Sequence, residues 1–167
     1  RVAERTKDLE RKTIQLSTAA HVAGQISGIK DLGTLLSSVV NVITEQYGHY
    51  HAAIFLVDEA NEFAYLQSSS SPSGQRMLER GYRLALAGDG IIENAATQKK
   101  IRILPDIEAD TAEFENPDLP STRSRVAFPL IARNRVIGIL DIHSLQPEAF
   151  QQSGIEVLQT VADQLTL

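Results

Sequence analysis

Two hydrophobic periods run along this chain of 167 residues, and where they change they divide it into elements. The clearest stretch is helical. Leu32, Leu35, Leu36, Val39, Val40 and Ile43 recur at i, i+3, i+4 and i+7, which predicts a helix over 31–48, with Asp31 as its cap and Gly48 just past its end. An apolar run over 51–58, a polar turn at 59–62 and a return run over 63–67 predict a first hairpin. Residues 68–74, Ser-Ser-Ser-Ser-Pro-Ser-Gly, read as a loop, 75–80 as one or two helical turns and 82–87 as a third strand. Gly88-Asp-Gly90 turns the chain into a helix over 91–99, and a short strand over 101–104 stops at Pro105. Two further apolar runs, 126–131 and 136–142, flank Arg133-Asn134-Arg135 and predict a second hairpin. The last helix has a capping box at Ser153 and Glu156 and an apolar stripe of Ile155, Leu158, Ala162 and Leu165.

Hairpins near both ends imply a mainly antiparallel sheet of five to six strands, hence an α+β fold. Residues 106–123 are acidic and proline-spaced, and a loop of that length in a compact domain is usually functional. Ahead of this body, Val2, Leu9, Leu16 and Ala23 recur every seven residues, with Thr6, Thr13, Ala20 and Ser27 in the companion register. Two readings fit: a parallel coiled coil arriving from an upstream module, or a solvated helix packed on its own domain. The chain begins with Arg1 and stops inside an apolar helical pattern, so it is expected to be a piece of a longer protein. The expected division is a signalling helix at 1–29 and one domain at 30–167.

Composition narrows the function classes. At 43% hydrophobic and 22% charged the chain is ordinary globular material, and a net charge of −5 argues against a nucleic-acid surface. There is no cysteine, which removes disulfides, thiolate metal sites and thiol catalysis together, and fits a cytoplasmic location. No apolar run reaches the ~20 residues that span a bilayer.

The order of elements carries recognisable motifs. They are Tyr50-His-Ala-Ala-Ile-Phe-Leu-Val-Asp58, Arg83-Leu-Ala-Leu-Ala-Gly-Asp-Gly-Ile-Ile92, Arg102-Ile-Leu-Pro-Asp106, Thr122-Arg-Ser124, Ala127-Phe-Pro-Leu130 and Val136-Ile-Gly-Ile-Leu-Asp-Ile-His-Ser144. From about Ser17 to Leu167 this series resembles a GAF domain of the kind found in bacterial multi-sensor histidine kinases. The resemblance implies a sheet with terminal helices packed on one face and a ligand pocket on the other. It also implies a sensory, non-catalytic role, with relay through terminal helices that form a homodimer. Bilin-carrying members and the methionine sulfoxide reductases of this fold use cysteines, and cyclic-nucleotide binders carry an Asn-Lys pair; this chain has neither.

Asp141 and His143 fall on one face of a strand, and buried polar groups there need partners or a ligand. Phe55, Tyr65, Ile92 and Phe128 are the expected apolar walls of a pocket between that face and the segment from Gly88 to Phe114, with the loop through Asn116 and Pro117 as its lid. The sequence leaves any cofactor unknown, and no metal site is expected: His49 and His51 lie at strand spacing, but at a helix-to-strand junction that suggests a surface or edge position, with no third ligand in view. Gly88-Asp-Gly90 lacks the third glycine of a dinucleotide fingerprint, with Glu93 in its place. No nucleophile–base pair is evident, so a small hydrolase is disfavoured. The rival to a sensor is a ligand-free dimerisation spacer whose pocket is filled by its own side chains.

Overall fold

The computed structural model describes residues 29–47, 50–107 and 118–166. The heptad segment, Phe114 and the proposed lid at Asn116 and Pro117 lie outside them. Helix α1 (Ile29–Tyr47) leads into strands β1 (His51–Val57) and β2 (Phe63–Ser69), then helix α2 (Pro72–Glu79) and the short strand β3 (Arg83–Ala85). Helix α3 (Ile91–Gln98) and strand β4 (Arg102–Leu104) follow, then the long hairpin β5 (Ser124–Ala132) and β6 (Arg135–Ser144), and finally helix α4 (Gln152–Gln164). The six strands form one antiparallel sheet in the order β3-β2-β1-β6-β5-β4.

Local chemistry explains the turns. Arg133 and Asn134 take φ of 51° and 62°, so β5 and β6 are joined by a two-residue turn with both central residues left-handed, the form whose twist matches the strands. Gly138 lets β6 lie against β1 without a clash, because a Cβ there would lie 2.6 Å from the Phe55 carbonyl oxygen.

Alternation along the strands splits the core in two. On one face Ala52 and Ile54 of β1, Val126, Phe128 and Leu130 of β5, and Leu140 and Ile142 of β6 pack with Leu36, Val39, Val40 and Ile43 of α1 and Leu158, Val161 and Ala162 of α4. On the other face Ala53, Phe55, Leu66, Ala127 and Ile139 pack beneath Met77 of α2 and Ile91, Ile92 and Ala95 of α3. The terminal helices therefore share one face, as the family resemblance implies.

Three local expectations are corrected. Strand β2 runs on through Ser68 and Ser69, both buried, and the next turn is helical: Ser71 caps α2 by accepting from Gly74 N–H at 2.9 Å, with Pro72 in the first turn. The serine run is thus strand and cap, not loop. Asp31 sits inside α1 rather than at its cap. The Ser153–Glu156 box does not form, because α4 starts at Gln152 with Gln151 in the cap position, which places Ser153 within the helix.

Candidate functional site

Strand register builds a row of polar side chains across the centre of the sheet. His51 of β1 is paired with His143 of β6, which is paired with Arg125 of β5, so three neighbouring strands place His51, His143 and Arg125 side by side on the α2/α3 face. The next row is Ala53, Asp141 and Ala127, and the third is Phe55, Ile139 and Pro129. The two alanines leave space around Asp141 that the longer side chains of the first row enter diagonally.

Arg125 holds the Asp141 carboxylate with both prongs, Nε to Oδ1 at 2.8 Å and Nη2 to Oδ2 at 3.0 Å. His143 Nε2 lies 2.8 Å from Oδ2, and its Nδ1 lies 2.9 Å from the Thr122 hydroxyl. With Nε2–H donating to the carboxylate, the neutral ring accepts from Thr122. His51 stands edge-on to His143 with ring centroids 5.0 Å apart, and its Nδ1 is 2.6 Å from Ser71 Oγ, the cap of α2. Every member of this network is buried. It joins Thr122, just ahead of β5, to the strands β5, β6 and β1 and to the start of α2.

Burial sets the protonation states. Burial pushes His51 down to about 3, helped by His143 and Arg125 and opposed by Asp141. Burial also holds His143 below the ordinary imidazole range, against Asp141. Burial alone would raise Asp141, but the Arg125 charge and the hydrogen bonds from His143 and Arg125 win, so it stays ionised far below the usual carboxylate range.

A pH dependence follows. Folded-state imidazoles with depressed pKa bind protons later than unfolded ones, so the unfolded chain gains protons first as pH falls below about 6.5. Stability is therefore highest above that pH and declines below it, by up to ~1.4 kcal/mol per pH unit for each histidine. Asp141, with a folded pKa below its unfolded value, adds a loss in the same direction under about pH 4. Urea midpoints measured between pH 7.5 and 4.5 should fall on this curve, and His51→Gln should flatten its upper limb. Equal slopes in the two proteins would remove His51 from this account.

Of the six residues expected to line a pocket, the fold brings four to this face: Phe55 and Ile92 as buried apolar walls, Asp141 and His143 in the network. Phe128 pairs with Leu140 and faces the terminal helices instead, because antiparallel partners share a face and Ala127 is the residue opposite Asp141. Tyr65 is exposed. The β1–β2 register shifts after Ile54, so Phe55 meets Leu66, which turns Tyr65 outward. Without that shift Tyr65 would share the Phe55 face.

Other members were not expected from the sequence. His51 is buried, contrary to a surface or edge position, because β1 pairs with the central strand β6 from its first residue, His51 opposite His143. The signals that point to the rest are the Ser71-Pro72 cap and the alternation that sets Arg125 in phase with Ala127. The fold also assembles a hydroxyl, an imidazole and a carboxylate in line at Thr122, His143 and Asp141, a chain the sequence reading did not find. Thr122 is 4% exposed and Arg125 already occupies the carboxylate. His51, Asp141 and His143 each bring one ligand-type atom within 4.8 Å of the others. The rings are neutral, as a cation requires, while the guanidinium beside the carboxylate opposes one. Glu93 folds back over Gly90, where a Cβ would lie 2.3 Å from its Oε2, so its carboxylate takes the place of an anion at the start of α3.

Comparison with known proteins gives a consistent result. A family model described as the GAF domain matches residues 31–167. GAF domain-containing protein A of Dictyostelium discoideum is 24% identical over 131 residues, covering 78% of this chain and 77% of that protein. Among solved structures, the GAF domain from a phosphoenolpyruvate-protein phosphotransferase of Coxiella burnetii is similar with a TM-score of 0.77 at 20% identity, over 98% of this chain and 91% of that one. The free methionine-R-sulfoxide reductase from Neisseria meningitidis, in complex with its substrate, gives 0.72 at 20% identity, over 92% and 83%. At such identities the structural likeness speaks for the fold.

Proposed function

This chain belongs to the GAF domain family, a sensory and regulatory fold, and from that premise we propose that it is a non-catalytic sensor of a small organic molecule. The ligand binds on the sheet face of the His51, His143 and Arg125 row, against Phe55 and Ile92, and an output module such as a histidine kinase reads the result through the terminal helices of a cytoplasmic homodimer. The observation that carries this reading is the buried ion pair flanked by two neutral histidines. Such a pair costs more to desolvate than apolar residues of equal volume, so stability alone does not account for it, and strongly perturbed groups gather at sites. An organic ligand is favoured over a metal ion because the Arg125 charge already sits on Asp141.

The relay has a physical route. Any group that displaces part of the row shifts β1 and β6, whose opposite faces seat α1 and α4. It acts only by preferring one arrangement over the other.

The spacer reading has an observation of its own: Asp141, His143, His51 and Thr122 all find partners within the chain. Native mass spectrometry of freshly purified protein separates the two, reporting retained ligand and oligomeric state in one spectrum. Two chains with an added small mass support the sensor. A screen of metabolites by thermal shift completes the test, since a ligand at one hundred times its Kd adds about 2.7 kcal/mol. A ligand that stabilises wild type and His51→Gln equally would place the site elsewhere, and a bare dimer with no hit in the screen would favour the spacer.

A further inference from the structure

At the outer end of the sheet, β4 is an edge strand whose ladder partner is β5. Arg102 pairs with Ala127 and so points to the α3 side of the sheet. There α3 and β4 part to leave an open cleft of about 310 Å³, lined by Ile91, Asn94, Gln98, Arg102, Leu104 and their neighbours. Arg102 is half-buried, and its Nε is the one buried side-chain polar atom without a hydrogen-bond partner among the described residues. No ion pair to Arg102 occurs among the described residues either. That Nε is sealed from solvent, and the guanidinium has no hydrogen-bond partner among the described residues, so its remaining donors are uncommitted where Arg102 lines the cleft.

The surroundings select the kind of acceptor. Asn94 spends an amide N–H on the Asp89 carbonyl at 3.0 Å, so the guanidinium fork is the dominant donor. The lining holds no second cation, whereas a phosphate dianion calls for more than one. Ile91 and Leu104 are buried apolar walls, and the volume is at the small end for organic ligands. A planar fork facing one anionic group with apolar walls beside it matches a carboxylate that carries a short hydrocarbon chain.

We propose that the cleft between α3 and β4 is a binding site for a small amphipathic monocarboxylate, held by Arg102. This site lies outside the buried row, and its test does not depend on a ligand there. The experiment is a titration of the ¹⁵N-labelled 167-residue chain with acetate, butyrate and inorganic phosphate, followed by NMR. Butyrate should move the Arg102 Nε–Hε resonance and the Asn94, Gln98 and Leu104 amides saturably. It should bind about tenfold more tightly than acetate, since two further methylenes are buried. Arg102→Gln should weaken butyrate at least about tenfold, the loss of a charged hydrogen bond, with unchanged amide dispersion elsewhere. Arg102→Lys keeps the charge but not the fork, and should also weaken it. The proposal is overturned if phosphate binds as tightly as butyrate, if the shifts do not saturate, or if both Arg102 variants bind butyrate like wild type.

Discussion

Asp141→Ala is expected to destabilise the domain by about 3–5 kcal/mol in urea unfolding at pH 7.5, the loss typical of removing one partner from a buried ion pair. The carboxylate accepts both Arg125 prongs and the His143 Nε2–H, so one truncation deprives three donors of their acceptor. Arg125→Met should cost less, because the stranded carboxylate can escape its penalty by taking up a proton. The double variant Arg125→Met with Asp141→Leu removes both charges and should recover most of the loss, since apolar replacements of a whole buried pair are often neutral or better. If the double variant is as unstable as Asp141→Ala, the deficit comes from packing and not from an uncompensated charge.

Gly74→Ala should be nearly as damaging, at about 2–4 kcal/mol, combining overpacking with a lost cap. A Cβ at Gly74 would lie 1.6 Å from Ser69 Oγ, 2.4 Å from Ser69 Cβ and 3.0 Å from His51 Cε1. Ser69 is buried in β2 and has nowhere to move, so α2 must lift from the sheet, carrying away the Ser71 hydroxyl that both caps the helix and meets His51. Gly33→Ala is the matched control. It replaces a helical glycine with nothing within 4 Å of the new methyl, and should stabilise by roughly 0.5–1 kcal/mol. Thermal melting of the two alanine variants should therefore move in opposite directions, and adding Ser69→Gly to Gly74→Ala should restore part of the loss. A Gly74→Ala protein that melts like wild type would mean that α2 is not seated on Ser69.

Periodicity carried most of this fold because both cores are built from long, strongly patterned elements. The α1 stripe, the two hairpins and the α4 stripe are legible because burial on one side imposes a period that few alternatives share. The candidate site was half legible. Asp141 and His143 stand out as polar residues in an apolar strand. Their partners do not, because Arg125 and His51 join them through strand register, which is a long-range property. A single irregularity after Ile54 turned Tyr65 outward, and a one-residue phase difference sent Phe128 to the other core. The serine run misled in a different way: serine is common in loops, but here its small hydroxyls fit under a helix and against a histidine ring.

The alternation along β6 has a practical consequence for protein engineering. Leu140 and Ile142 belong to one layer, and Ile139, Asp141 and His143 to the other, so neighbouring positions in the chain answer to different constraints. A saturation library at Ala53, Phe55, Ala127 and Ile139 would rewrite the chemistry of the face under α2 and α3 while leaving untouched every side chain that seats α1 and α4. An inserted residue anywhere in the middle of β6 would do the reverse. It would exchange the two layers beyond that point.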